Sequence, residues 1–439
     1  MMYAVLISVL ILIALSMLRV NVLLSILLAA ISAGLIEGLS ITETLAMLIS
    51  GMGGQAETAL SVILLGIFAV MIKYSGITGI LVKKMLKFMK GKRAIILLAI
   101  AGVSCFSQNL VPVHIAFIPI LIPPLLHLFD RMKIDRRGVA TALTFGLKAP
   151  YIMIPAGYGL MFHQIIASEM KKYGMNIAVG QLPLALLIPG LGMIVGLLIA
   201  VFITYRKAKE TAPSKELENS LAEMEISAAS EVIPFTKQHV ITLIAIVLSL
   251  GVQLYTHSLA LGALVGILAM FLGRVAPFVK GDEIVDDGMK MMGAIAFVLL
   301  IAAGYSTILK ETGAINHLVS NTSSIIGGSK LFTSFIILTI GLLITMGIGT
   351  SFGTIPILAA VYVPLCISVG FSPLATAALI GTASALGDAG SPASDSTIGP
   401  TIGLNADGKH NHIWDTCVPT FMHYNIPLFI FGMIAAYVL

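Results

Sequence analysis

Charged side chains are scarce in this sequence of 439 residues, because Asp, Glu, Lys and Arg together make up 11% of it. A soluble domain carries about 25% of these residues. Eight runs contain none of them: 2–18, 20–36, 58–72, 94–129, 238–273, 291–309, 331–387 and 416–439. A helix that crosses a membrane needs about 20 mostly apolar residues, and in lipid it satisfies its own backbone hydrogen bonds. The scarcity of charge excludes a soluble domain and predicts an all-α polytopic membrane protein.

Cysteine is also rare, and Cys105, Cys366 and Cys417 show no spacing typical of a disulfide or a metal site. We therefore expect three small buried side chains. No basic segment precedes the first apolar run, so 2–18 is predicted to be a retained span rather than a cleaved signal peptide. The net charge of +5 is expected to reflect loop topology and not nucleic-acid binding.

The two halves of the sequence share one order of features at a spacing of 237 residues. Lys73 corresponds to Lys310, and Pro155 corresponds to Pro392. The long polar segment 206–237 separates the halves and is the predicted linker. We expect two repeats, 1–205 and 238–439, each with five full crossings and one hairpin. Because five is odd, the second repeat must be inverted, as in many secondary transporters.

Basic residues orient these repeats. They cluster in two loops and in the linker, as Lys83, Lys84, Lys87, Lys90, Lys92 and Arg93, then Arg131, Lys133, Arg136 and Arg137, then Arg206, Lys207, Lys209 and Lys215. The positive-inside rule places all three clusters in the cytoplasm. The stretch 94–129 then enters and returns on one side as a hairpin. Inverted symmetry puts hairpin 331–371 on the outer side, both termini outside and the connector 274–290 inside.

Four interruptions occupy matching places in the two halves, where Gly and Pro break predicted helices. Such breaks expose carbonyls for cations and amides for anions, and hydroxyl and amide oxygens suit a hard cation such as Na⁺. The expected substrate-binding residues are Ser107, Gln108 and Asn109 at the first hairpin turn, Lys148, Pro150 and Tyr151 in the first broken span, and Gly349, Thr350, Ser351, Gly353 and Thr354 at the second hairpin turn. Tight helix contact is the alternative explanation of these small residues.

Two carboxylates stand in the second broken span, where a charge at the bilayer centre costs about 2.5–3.5 kcal/mol. We expect a cation site for Na⁺ formed by Asp388, Ser391, Ser394 and Asp395. Lys148 could pair with Asp388, or it could extend to the cytoplasmic face. Asp395 could instead cap a helix that begins at Ser396.

The motifs GTSFGT at 349–354 and GDAGSPASDSTIGP at 387–400 resemble the NhaC-type Na⁺/H⁺ antiporter family of the ion transporter superfamily. The length and the late His-rich loop are similar to the branch that includes bacterial amino-acid transporters, especially for histidine. The resemblance implies an elevator-like carrier of the bacterial inner membrane. Its hairpins and broken spans would move against a scaffold of the first three spans of each half, often as a homodimer. Dicarboxylate transporters of the superfamily carry Ser-Asn-Thr at the tip of the first hairpin, where this chain has Ser107-Gln108-Asn109. This difference weakens the assignment of a dicarboxylate substrate.

Three functions remain open at this stage, with membrane lipid and a small solute or ion as the expected partners and no cofactor beyond the coupling ion. The first is transport of a small amino acid such as histidine, coupled to Na⁺ or H⁺. The second is Na⁺/H⁺ antiport without an organic substrate. A remote third is an intramembrane aspartyl protease, because Ala385-Leu386-Gly387-Asp388 distantly resembles Gly-x-Gly-Asp and such enzymes need two carboxylates that share a proton. A channel fits two off-centre hairpins less well, and we expect no enzyme.

Overall fold

The computed structural model of the protein describes residues 3–18, 20–77, 80, 93–109, 118, 122–209, 235–256, 258–313, 329–392 and 394–439. Within these ranges the chain forms helices and no strands. The first half contains α1 Tyr3–Met17, α2 Val22–Ile36, α3 Ile41–Met52, α4 Ala56–Tyr74, α5 Arg93–Asn109, α6 Leu126–Arg131, α7 Arg136–Met153, α8 Tyr158–Lys172 and α9 Leu182–Ile199. The second half contains α10 Lys237–Thr256, α11 Leu259–Leu272, α12 Gly281–Glu311, α13 Lys330–Ile348, α14 Ser351–Val369, α15 Pro373–Ala385, α16 Asp395–Leu404 and the helical segment α17 His412–Val438.

Seven helical segments of the described chain are long and apolar enough to cross a membrane, and the bent pair α7–α8 makes an eighth. The all-α multi-pass architecture predicted from composition is therefore confirmed. The predicted connector 274–290 contains the start of α12 at Gly281, and its placement inside stays a prediction. Asp282 and Glu283 occupy its first turn, where the helix dipole favours negative charge. This acidic stretch therefore extends the helix instead of forming a loop.

Helix starts in the two halves recur at the spacing seen in the sequence. Arg93 and Lys330 begin α5 and α13, the first helices of the two predicted hairpins. Tyr158 and Asp395 begin α8 and α16, again 237 residues apart. This regularity supports the predicted duplication, while the opposite orientation of the halves stays a prediction.

The helices pack as two groups. The scaffold group is built on α12, which lies against α2, α3 and α4, while α11 covers α4 from the other side. The hairpin group contains α5, α7, α8, α9 and α13 to α17, with α15 packed against α9, α13, α14 and α17. The groups meet where α14 crosses α12, because a Cβ on Gly353 would lie 2.5 Å from Cγ1 of Val298. Gly353 thus lets the hairpin approach the scaffold closely.

The second hairpin is an antiparallel pair, α13 and α14, whose turn consists of Gly349 and Thr350. Tyr362 of α14 donates a hydrogen bond of 2.9 Å to the carbonyl of Ile337 on α13, so the two helices run back along each other. Gly349 has φ +74°, which favours glycine at the end of α13. The predicted turn is therefore present at the predicted place.

The sequence predicts the first hairpin turn near Ser107, Gln108 and Asn109. Helix α5 continues through Asn109, so the turn does not begin within these three residues. Their side chains and the residues that follow, 110–117, lie outside the described residues, as does most of the predicted linker 206–237.

Candidate ion and solute site

The first broken span ends α7 and restarts as α8 with a bend of 48°. Gly157 has φ +57°, and a Cβ on Gly159 would lie 1.8 Å from the carbonyl oxygen of Ile154. Only glycine fits this close return of the chain. The ring Nε2 of His163 lies 2.8 Å from the carbonyl oxygen of Ile152, which satisfies one carbonyl that the break leaves open. The break is thus stabilised by contacts within the protein, and it leaves Lys148 near the C-terminal end of α7.

The second broken span ends α15 at Ala385 and restarts at Asp395. Gly387 has φ +83°, and a Cβ there would lie 2.6 Å from the carbonyl oxygen of Leu342 on α13. Ser394 caps α16, since its Oγ accepts a hydrogen bond of 3.1 Å from the amide of Ser396. The alternative that Asp395 is the cap is wrong, because Asp395 is the first helical residue.

Asp388 is the centre of the site. Its side chain is 1% exposed, and its Oδ2 accepts hydrogen bonds from Lys148 Nζ at 2.5 Å and from the amide of Ser351 at 2.9 Å. The hydroxyl of Ser351 donates to the same oxygen at 2.5 Å, and that of Ser394 donates to Oδ1. Lys148 is 8% exposed as a residue, so it does not extend to the cytoplasmic face. The ion pair considered from the sequence is present, and it joins the two broken spans to the hairpin tip.

A network of hydroxyl groups extends from this centre. Tyr151 OH lies 2.7 Å from Oγ of Ser351, and Oγ of Ser394 lies 2.8 Å from that of Ser396. Thr144 on α7 donates a hydrogen bond of 2.8 Å to the carbonyl of Ser396. Each hydroxyl can both donate and accept, so the network can adjust when the charge at Asp388 changes.

A cavity of about 40 Å³ lies beside the ion pair. A buried water needs about 10–15 Å³ of such space, so the cavity has room for roughly three. Its walls are Leu147, Lys148, Tyr158, Ile295, Gly349, Thr350, Phe352, Asp388, Ser394, Asp395 and Ser396. Asp395 is exposed to this space, and no hydrogen bond or ion pair to its carboxylate is found among the described residues. Asp388 therefore has hydrogen-bond partners at both oxygens, whereas Asp395 lines the cavity without a direct partner among the described residues.

The structure brings together part of the predicted set. Lys148, Gly349, Thr350, Asp388, Ser394 and Asp395 line the cavity, and Tyr151 and Ser351 lie one hydrogen bond behind it. Other predicted residues point elsewhere: Pro150 is buried within α7, Gly353 contacts Val298, Thr354 bonds its own helix and Ser391 donates to the carbonyl of Met346 at 2.8 Å. The roles of all these residues stay predictions.

Sequence reasoning missed the aromatic wall. Tyr158 and Phe352 line the cavity with ring centres 5.8 Å apart. Phe352 lies inside the GTSFGT motif, between the predicted substrate-binding residues Ser351 and Gly353. Tyr158 stands 237 residues before Asp395, so the repeat spacing could have identified it.

A charged clamp holds the two broken spans together at one end. Arg136, which begins α7, donates to both oxygens of Asp407, at 2.6 and 2.7 Å, and to Asp130 at 2.9 Å. Burial would raise the pKa of Asp407, but its bonds with Arg136 outweigh this and lower it. Asp407 is thus held ionised in the loop after α16, and α7 and α16 are tied as one unit.

Family models match most of the chain. Residues 142–433 match a model described as the Na⁺/H⁺ antiporter family, and residues 3–89 match a second one described as the Na⁺-H⁺ antiporter family. An uncharacterized membrane protein of Vibrio parahaemolyticus is 48% identical, with 99% of each chain covered. A Bacillus subtilis protein named "Putative amino acid transporter YuiF" is 46% identical, with 100% of each covered.

Two solved structures share the fold. The YdaH transporter of Alcanivorax borkumensis is 14% identical with a TM-score of 0.60, over 91% of this chain and 88% of that one. MtrF of Neisseria gonorrhoeae, described among antimetabolite efflux pumps, is 15% identical with a TM-score of 0.62, over 91% and 85%.

Proposed function

This chain belongs to the Na⁺/H⁺ antiporter family and is a secondary transporter of the bacterial cell membrane, and we propose that it moves a small amino acid with Na⁺ or H⁺. The observation that carries this proposal is the cavity, which has a charged wall and an aromatic wall. Because the family consists of transporters, we set aside the alternative of an intramembrane aspartyl protease.

The charges at the cavity favour a cationic group. Lys148 neutralises one carboxylate, and Asp395 leaves one formal negative charge facing the space. An ammonium group or a Na⁺ ion placed there would form the direct ion pair that Asp395 lacks among the described residues, and away from bulk water such a pair is stronger than in water. Asp395 is therefore assigned the contact with the incoming cation or amino group.

The aromatic wall favours an organic solute. Phe352 contacts Tyr158, Tyr151 and Phe162, with ring centres 5.8, 5.4 and 5.8 Å away. A few placed polar groups on a mostly apolar lining are typical of sites for small organic molecules. A site for a bare ion has no need of such a wall. The name of the Bacillus relative supports an amino acid, and histidine is the example that we propose. Because the cavity has room for roughly three waters, histidine would bind in a conformation in which this space is wider.

Competition for Asp388 couples the two solutes in this proposal. Lys148 occupies Oδ2 of Asp388 at 2.5 Å. A Na⁺ ion or a proton that binds Asp388 would release the Lys148 ammonium, which could then meet the carboxylate of the amino acid. For Na⁺, oxygens of Asp388, Ser394 and Asp395 would supply ligands of the kind that hard cations prefer, with Ser391 as a further predicted ligand. Solute binding would thus depend on the coupling ion.

The movement that we propose is a displacement of the hairpin group against the scaffold group. The clamp at Arg136 supports motion of the two broken spans as one unit. The small contact of Gly353 with Val298 is compatible with sliding. The inverted repeats and a homodimer stay predictions.

The test uses proteoliposomes with an imposed Na⁺ gradient, an internal pH dye and labelled amino acids including histidine. We expect uptake that follows the cation gradient in the native protein and its loss in Asp395→Asn. The matched control is Asp282→Asn, an exposed carboxylate in the first turn of α12, which should transport normally. Uptake that is unchanged in Asp395→Asn would remove that residue from the site, and no cation-dependent uptake of any amino acid would reject the organic substrate.

A second function, Na⁺/H⁺ antiport without an organic substrate, is favoured by the same Lys148–Asp388 pair and by the family description. Na⁺ and a proton could compete for Asp388 by the route described above. Proton movement driven by Na⁺ alone, before any amino acid is added, would support this function instead.

A further inference from the structure

A second buried polar cluster lies at the boundary of the two helix groups, away from the cavity. Gln55, in the short 3₁₀ helix Gly53–Gln55 between α3 and α4, donates a hydrogen bond of 3.0 Å from Nε2 to Oε1 of Glu169 on α8. The two residues are 2% and 3% exposed. A scaffold residue and a hairpin-group residue therefore meet here through a carboxyl group that is shielded from water.

Both side chains keep one buried oxygen without a hydrogen bond. These atoms are Oε1 of Gln55 and Oε2 of Glu169. Buried polar atoms are nearly always satisfied, and an ionised carboxylate can only accept. Two acceptors cannot satisfy each other, so the ionised form leaves both oxygens open.

A single proton would give both of these oxygens a hydrogen bond. A primary amide and a carboxylic acid are complementary, because each offers one donor and one acceptor. With the existing bond from Nε2 to Oε1 in place, an acid proton on Oε2 of Glu169 would donate to Oε1 of Gln55. The result is a ring of two hydrogen bonds with no open oxygen.

We propose that Glu169 is a proton-binding site, and that its protonated carboxyl group joins the hairpin group to the scaffold through Gln55. This site is separate from Asp388 and Asp395, and the inference does not depend on the amino-acid substrate. Loss of the proton would free Glu169 to pair with a cation on its own helix and would weaken its contact with Gln55.

The neighbouring charges define that second state. Lys172 Nζ lies 4.0 Å from Oε2 of Glu169, beyond hydrogen-bonding distance, and instead donates to Ser306 at 3.0 Å and Thr307 at 3.3 Å on α12. Lys310 of α12 donates to the carbonyl of Lys172, and the other titratable groups that face the cluster are Tyr173 and Glu311. Lys172 is thus satisfied by hydroxyl groups while Glu169 holds its proton, and it is the nearest cation once the proton leaves.

Difference infrared spectroscopy on the full protein in lipid tests this directly. We expect a carbonyl band of a protonated carboxylic acid near neutral pH, shifted by ¹³C-labelled glutamate and absent in Glu169→Gln. Glutamine can form the same two-bond ring with Gln55, so this variant should fold. Glu57→Gln, which changes an exposed carboxylate two residues from Gln55, should retain the band.

Two further variants separate proton binding from simple burial. Gln55→Met should move the band to higher frequency, because the acid loses the oxygen to which it donates. Lys172→Met should shift the titration midpoint of the band to higher pH, because the competing cation is gone. If the native protein shows no ¹³C-glutamate-sensitive acid band between pH 5 and 9, or if the band persists in Glu169→Gln, the proposal is overturned. Neither result bears on solute uptake, so failure of this site and failure of the proposed function remain distinguishable.

Discussion

Replacing Asp388 by asparagine removes the charge on which Lys148 and three further hydrogen bonds converge, while keeping the size of the side chain. Lys148 would then be a cation at 8% exposure without its partner. Breaking a buried pair from one side costs about 3–5 kcal/mol, because the remaining charge is left uncompensated. We therefore expect Asp388→Asn to lower the free energy of unfolding by about this amount and to abolish cation-dependent transport.

The reverse change, Lys148→Met, keeps a long side chain and removes the cation. Asp388 would retain the amide and hydroxyl of Ser351 and the hydroxyl of Ser394. Its expected cost is smaller, about 2–3 kcal/mol, in the range of a hydrogen bond to a charged group. The double variant removes both charges, and replacing a whole buried pair is often close to neutral. We expect the double variant to lose at least about 2 kcal/mol less free energy of unfolding than the sum of the losses of the two single variants.

Denaturant titration in detergent micelles measures these differences from the midpoint and slope of unfolding. The control is the exposed pair Lys290 and Asp287, whose charged atoms lie 3.7 Å apart with side chains 76% and 54% exposed. Lys290→Met, Asp287→Asn and their double variant should each change stability by less than about 1 kcal/mol. If the Lys148–Asp388 double variant loses the full sum of its single variants, the pair carries no coupling and the reasoning is refuted.

Two other predictions concern the frame of the site. Gly387→Ala should destabilise the protein more than Gly174→Ala. Both glycines have positive φ (+83° and +90°), but only at Gly387 would a Cβ meet a neighbour, the Leu342 carbonyl oxygen at 2.6 Å. Thermal unfolding compares the two variants, and equal losses would show that backbone strain alone determines the cost. Burial lowers the pKa of His410 from 6.5 to about 4. The stability that comes from a neutral His410 is therefore fully present above pH 6.5, and the free energy of unfolding falls by about 3 kcal/mol as the pH drops towards 4. His410→Gln should flatten stability over that window, and an unchanged slope would contradict the assignment.

The broad fold could be predicted from the sequence because lipid imposes simple rules. Long charge-free runs must be helices, and a glycine or proline inside such a run must be explained. The turn at Gly349 and both breaks were located in this way. The extent of α12 was not, because Asp282 and Glu283 look like a loop in a hydropathy pattern and yet stabilise the start of a helix.

The site itself could be predicted only in part. Charges in an apolar setting stand out, so Lys148, Asp388 and Asp395 were identified. Their partners were harder, since a pattern cannot say which carboxylate is saturated and which faces open space. The pair of Gln55 and Glu169 gave no signal in the sequence, because the two residues are 114 positions apart and the first lies in a short 3₁₀ helix between two longer helices. Such contacts depend on how helices cross, which sequence spacing does not determine.

The way the halves interlock can also be viewed as quaternary structure. Helix α4 lies against α12, α7 against α16 and α9 against α17, so each half covers apolar faces of the other. The halves are in this sense the two subunits of an obligate dimer carried on one polypeptide. The predicted linker 206–237 would fix their ratio at one to one and replace a bimolecular encounter by an intramolecular one, for which short tethers give effective concentrations of about millimolar. A chain opened within that segment would yield two polypeptides whose assembly depends on their abundance in the membrane.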